Sequence, residues 1–83
     1  MRITVKYFAA LREQLGVAEE VLDSEAATLG ALREQLRGRG GVWSEALDPQ
    51  RPVRMALDQA MAEADAALHD GAEVAFFPPV TGG

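Results

Sequence analysis

One stretch of this chain joins an amphipathic helical stripe to an N-cap signal, and strand-like periodicity flanks it on both sides. Leu29, Leu32 and Leu36 fall on one face of a helix, Thr28 stands where an N-cap belongs, and Arg33 and Arg37 suit the negative end of the helix dipole. Near the start, Ile3, Val5 and Tyr7 alternate with Arg2, Thr4 and Lys6, the period of two expected of a half-buried strand. Near the finish, Val74-Ala75-Phe76-Phe77 is a nearly continuous apolar run within Glu73 to Phe77, as expected of a strand covered on both faces. One dominant helix can cover one face of one sheet, so the fold class is α+β.

The segments between are shorter. Ala9 to Leu15 has the pattern of two helical turns stopped by Gly16, and Glu20 to Asp23 that of a brief second strand. Gly38, Gly40 and Gly41 end the main helix and open a loop that carries Trp43. Val53 to Leu57, after Pro52, is a further strand. Asp58 to His69 is ambiguous: its alanines, and the stripe Leu57, Met61, Ala64 and Leu68, favour helix by propensity. His69-Asp70-Gly71 is a turn signal. Pro78 and Pro79 donate no backbone hydrogen bond, so pairing fades there and residues 78–83 form an extended tail on a domain of residues 1–77.

Composition excludes several functions. A chain of 83 residues is one domain with a single core. With no cysteine there is no disulfide, thiolate metal site or thiol nucleophile, and a reducing cytoplasm is the simplest compartment. Arg2, Lys6, Arg12 and Glu13 interrupt every apolar run near the start, so neither a signal peptide nor a membrane span is expected. A net charge of -5 repels phosphate backbones. Nucleic acid is therefore not an expected partner, whereas a protein with a basic docking face is.

The order strand, strand, helix, strand, strand resembles the ubiquitin-like β-grasp fold, a mixed sheet with one main helix packed on it and with first and last strands side by side. The ends of the chain narrow this further. MRITVKYFAALREQLG at the start and DGAEVAFFPPVTGG at the finish resemble the small, sulfur-carrying subunit of molybdopterin synthase. A β-grasp sheet needs the surroundings of its fourth strand open, which favours strand and turn over helix for Asp58 to His69.

The resemblance implies a mechanism. In that family the C-terminal glycine, here Gly83, is adenylated by a ubiquitin-activating-like adenylyltransferase that uses ATP and magnesium, then converted to a thiocarboxylate. The large synthase subunit takes the tail into its active site, and the sulfur enters the dithiolene of the pterin precursor. Two copies of each subunit form the complex, and the small subunit binds no cofactor and no metal. The tail suits that use. Gly82 and Gly83 lack Cβ atoms and fit a narrow channel. Pro78 and Pro79 hold the chain extended, which lowers the ordering cost on insertion. Phe76 and Phe77 point to opposite faces, one for the core and one to anchor a partner. Val80 and Thr81 would line the channel. Other uses of the same chemistry are sulfur delivery for thiazole or transfer-RNA thiolation, or ligation to lysines as a ubiquitin-like modifier.

The remaining candidates have simpler explanations. His69 stands alone beside a turn, and Gly38-Arg39-Gly40-Gly41 lacks the Lys-Ser/Thr of a phosphate loop. Arg33, Arg37 and Arg39 read as a solvated helix end, and Trp43 as a core or loop plug. Glu13, Glu19, Glu20, Asp23 and Glu25 read as a solvated face, since no second catalytic group accompanies them. No independent active site is expected.

Overall fold

In the computed structural model, which describes residues 1–79, the elements run β1 (Arg2–Tyr7), α1 (Ala9–Leu15), β2 (Glu19–Asp23), α2 (Leu29–Arg37), α3 (Val42–Ala46), β3 (Arg54–Leu57), β4 (Ala60–Ala62) and β5 (Glu73–Phe77). They build one mixed sheet in the order β2-β1-β5-β3-β4. The first and last strands lie side by side and parallel at its centre, with Val5 opposite Val74 and Tyr7 opposite Phe76. All other pairings are antiparallel.

Alternation along the strands decides what faces the helices. Ile3, Val5 and Tyr7 from β1, Val74 and Phe76 from β5, and Met55 from β3 are buried against Leu29, Leu32 and Leu36 of α2. Leu11 of α1, Ala46 of α3 and Leu47 close the ends of the same core. Glu73, Ala75 and Phe77, on the opposite face of β5, are only half-buried. The strand is thus covered on one face rather than two; its apolar run reflects a central position in the sheet, where neighbouring strands shield Ala75 and Phe77 without enclosing them.

The alanine-rich segment is not helical. Asp58 and Gln59 both adopt positive φ, 50° and 69°, and form the two-residue turn between β3 and β4. The chain then returns past the start of α2, where Leu29 N–H and Gly30 N–H donate to the carbonyls of Ala66 (3.1 Å) and Ala64 (2.8 Å). The first N–H groups of a helix have no partner inside it. Carbonyls from an extended segment satisfy them here, whereas a helix over the same residues would have kept those carbonyls for itself. The approach is close: a Cβ on Gly30 would sit 3.2 Å from both the Cβ and the carbonyl oxygen of Ala64. Thr28 caps α2 as expected, its Oγ1 accepting from Ala31 N–H at 3.2 Å.

Two local features depart from the sequence reading. The loop after the glycines contains α3, a helix of 5 residues, too short to leave a periodic stripe. Arg33 is not a solvated helix end. Its guanidinium donates to the carbonyls of Leu47 (2.7 Å), Asp48 (2.6 Å) and Arg51 (3.3 Å), so it ties α2 to the segment between α3 and β3.

Because Leu32 is fully enclosed between α2 and the sheet, Leu32→Ala is expected to lower unfolding free energy by roughly 2–5 kcal/mol. Val21, 56% exposed on edge strand β2, should tolerate alanine within about 0.5 kcal/mol. Urea unfolding followed by circular dichroism checks both; equal effects would contradict this account of the core.

Candidate functional site

The chain leaves the sheet at Phe77, beside the end of β1, and the geometry there is set by a small aromatic cluster. Tyr7 and Phe76, opposite each other on β1 and β5, stack with ring centroids 6.1 Å apart and planes 13° apart. Trp43 of α3 meets Tyr7 edge-on at 5.5 Å, a favoured arrangement for aromatic pairs. Phe8 N–H donates to Phe76 O at 3.1 Å, extending the parallel ladder to the last residues before the tail.

A polar strap closes over this cluster. Tyr7 Oη donates to Glu20 Oε2 at 2.8 Å, and Arg39 grips both Glu20 oxygens at 2.9 and 2.8 Å. The same guanidinium lies 4.4 Å from the Trp43 ring centroid, a cation–π contact. Arg39 holds the Glu20 carboxyl below its ordinary range, with Tyr7 adding to the effect and burial opposing it. Burial, then the neighbouring carboxylate, pushes the Tyr7 hydroxyl up, so it stays protonated and a donor. Glu20 is therefore no part of a merely solvated face, and Arg39 is not a solvated helix end. Arg37 pairs with Glu34 at 2.8 Å. Trp43 is the plug expected of it. Tyr7, Glu20 and the Arg39–Trp43 segment are far apart in sequence, and only the fold could show that they meet.

Phe76 is wholly enclosed in the core, whereas Phe77 faces the other side of the sheet and is half-buried. The two do divide between core and surface, with Phe77 carrying the accessible ring. Pro78 and Pro79 leave the ladder but do not simply project. They are half-buried and line a cavity of about 120 Å³ with Leu11 and Gln14 of α1, Ala46 of α3, and Arg51 and Val53 ahead of β3. Val80, Thr81, Gly82 and Gly83, the other residues expected to serve the site, lie outside the described residues. Among the described residues no group of three or more His, Asp or Glu side chains is arranged to hold a metal ion. No helix among them is long and apolar enough to cross a membrane.

His69 lies away from this region, at the opposite end of β5. Its Nε2 sits 2.6 Å from Asp58 Oδ2 and its Nδ1 2.9 Å from Asp70 O. Asp58 Oδ1 also accepts from Glu73 N–H at 3.0 Å, so the pair ties the β3–β4 turn to the start of β5. Two acceptors facing one ring favour the imidazolium, and the Asp58 carboxylate raises the His69 pKa above its ordinary 6.5. The Glu73 N–H, then His69, lowers that of Asp58. The His69 contribution to stability is full below about pH 6.5 and lost as pH rises through the raised folded value. The Asp58 contribution is lost only in acid, as pH falls through its lowered value. An NMR titration should place His69 above 6.5, and Asp58→Asn should return it toward that value. The stability gap between the unaltered chain and His69→Ala should close at alkaline pH; a gap independent of pH would refute the pairing.

Comparison with known proteins extends these observations. The ThiS family matches residues 5–83. Over 81 residues the chain is 40% identical to the molybdopterin synthase sulfur carrier subunit of Haemophilus influenzae and 38% identical to that of Escherichia coli, covering 98% of this chain and 99% of each relative. Among solved structures, a putative molybdopterin converting factor subunit 1 from Pyrococcus furiosus superposes with a TM-score of 0.78 at 30% identity, covering 96% of this chain and 99% of that one. A chain of the complex of subunits 1 and 2 of the molybdopterin-converting factor from Helicobacter pylori has the same fold, with a TM-score of 0.70 at 23% identity and full coverage of both chains. On a match that spans all but its first four residues, this chain belongs to the ThiS family.

Proposed function

We propose that the protein is the sulfur carrier subunit of a molybdopterin synthase, and that the Gly83 carboxylate carries the sulfur. The observation that carries this reading is the near full-length likeness to sulfur carrier subunits, 40% and 38% identical, in a chain without cysteine. A carrier with no thiol must hold sulfur on another group, and a carboxyl can hold it as a thiocarboxylate. The family match runs through Gly82 and Gly83.

The chemistry requires activation, because a carboxylate does not exchange oxygen for sulfur unaided. A carboxylate oxygen attacks the α-phosphorus of ATP in a magnesium-dependent adenylyltransferase, and pyrophosphate leaves. The acyl adenylate is then attacked at carbon by hydrosulfide-level sulfur; AMP leaves with the former carboxylate oxygen and one proton is released. No electron is gained or lost at the carbonyl. In the large synthase subunit the thiocarboxylate sulfur displaces an oxygen substituent from a side-chain carbon of the pterin precursor, a C–S bond forming as a C–O bond breaks. Water then attacks the acyl carbon and the acyl C–S bond breaks; the sulfur stays on the pterin and the carboxylate returns with loss of a proton. A dithiolene contains two sulfurs and each tail brings one, so two loaded chains serve one product, consistent with a complex holding two copies of each subunit.

This chain contributes position rather than catalysis. The central β1–β5 pair and the Tyr7–Phe76 stack fix the direction in which residue 78 departs. Pro78 and Pro79 limit the conformations open to the backbone at the root of the tail. Phe77, Pro78, Pro79, Val80, Thr81 and Gly82 contact the partner, with Phe77 as the aromatic anchor and the glycine slim enough for a narrow channel. Activation consumes ATP and needs the adenylyltransferase, so the protein works in the cytoplasm.

Deleting Gly83, or adding one residue beyond it, should leave the circular dichroism spectrum unchanged and abolish conversion to thiocarboxylate by the activating enzyme with ATP, magnesium and sulfide, as read by intact mass. Gly82→Trp should impair the same conversion, and His69→Ala should not. Sulfur uptake by a folded chain lacking Gly83, or accumulation of lysine conjugates in place of sulfurated pterin, would overturn the proposal.

A further inference from the structure

The chain has 8 basic side chains, and most are occupied within the protein. Arg2, Lys6, Arg37 and Arg39 each pair with a carboxylate, and Arg33 is fixed by three carbonyls. Arg12, Arg51 and Arg54 have no ion pair among the described residues, and all three are exposed. Two of them stand at the root of the tail. Arg54 is the cross-strand partner of Phe77, so the two side chains share the outer face of the sheet. Arg51 lines, together with Pro78 and Pro79, the cavity on the helical side. Its one side-chain hydrogen bond among the described residues runs from Nε to Glu45 O at 3.3 Å, which steadies the side chain and leaves both terminal nitrogens free of a carboxylate there. Glu45 and Asp48 border a neighbouring recess with Arg51, without an ion pair to it.

We infer that Arg51 and Arg54, one on either side of the tail's root, form a basic collar that engages carboxylates on the lip of the cleft through which the synthase's large subunit admits the tail. The inference rests on the function proposed above. In a chain of net charge -5, a uniformly basic partner would be attracted at long range and repelled at this one place. Acidic groups at the lip resolve that conflict and give the docking a single register. Arginine and an aromatic ring are side chains enriched at interfaces, and here Arg54 and Phe77 are adjacent. The guanidinium fork takes a carboxylate through two hydrogen bonds, which fixes angle as well as distance. With the collar seated on the lip, residue 78 enters the cleft between two fixed points.

The test is binding of the full chain to the purified large subunit, with association and dissociation rates measured at about 50 and about 300 mM salt. The unaltered chain should bind, and Arg51→Glu with Arg54→Glu should weaken binding about tenfold or more at low salt. The lysine replacements R51K and R54K should recover only part of the loss. Arg2→Glu, at the far end of β1, should match the unaltered chain within about twofold, and circular dichroism should show every variant folded. Exchanging lip carboxylates for arginine on the large subunit should restore binding of the double reversal. Equal affinity for the double reversal at both salts, or tighter binding, would overturn the collar while leaving the sulfur-carrier reading intact. If the unaltered chain fails to bind the large subunit, both fall together.

Discussion

The parallel pairing of β1 with β5 is the constraint on which the rest of the molecule depends. It joins the first and last strands at the centre of the sheet, so everything between them must cross over one face and return. That crossing gives α2 its place against Ile3, Val5, Val74 and Phe76, and leaves β2 and β4 as edges. It also determines where the tail starts. A strand at the centre of a sheet is held on both sides, and its last residue is therefore among the best-positioned points in a small domain. A slim tail can be aimed from there because its origin is fixed.

The helical layer reinforces that origin from the other side. Arg33 pins the segment after α3 to α2 through backbone carbonyls, and the segment it pins supplies Arg51 and Val53 to the cavity beside Pro78 and Pro79. The Tyr7–Glu20–Arg39–Trp43 strap ties β1, β2 and α3 together beside the Tyr7–Phe76 stack. Each contact alone contributes modestly, since several of these groups are partly exposed. Their common effect is to keep α3 and the end of β5 in register.

Much of this was legible in the sequence, and the parts that were not have physical reasons. Alternation in β1, the leucine stripe of α2 and the Gly16 stop are local patterns, and each appears where the pattern put it. Propensity alone favours a helix over Asp58 to His69; the deciding factor against it is tertiary, the need of α2's first N–H groups for the carbonyls of Ala64 and Ala66. Helix α3 is too short to have a period. Arg33, Arg37 and Arg39 look alike as a charge run, yet only Arg37 takes a partner one helical turn away; those of Arg33 and Arg39 lie from 14 to 19 positions away, a separation no local rule can bridge. For the site, the FFPP block announced both the division of Phe76 and Phe77 between core and surface and the end of the ladder. The cavity that the two prolines help to line, and the arginines beside them, became visible only once α1, α3 and the segment ahead of β3 were brought together.

The central claim is that sulfur travels on the carboxyl of Gly83 into a pterin. It is tested most directly in a single turnover, with the chain loaded with isotopically labelled sulfur, the large subunit in excess, and the pterin precursor supplied. The account predicts that label leaves the chain and appears in the dithiolene in equal amount, while the chain returns to the mass of its free carboxylate. Label that remains on the chain, is released as free sulfide, or passes to another acceptor while the pterin stays unsulfurated would contradict it.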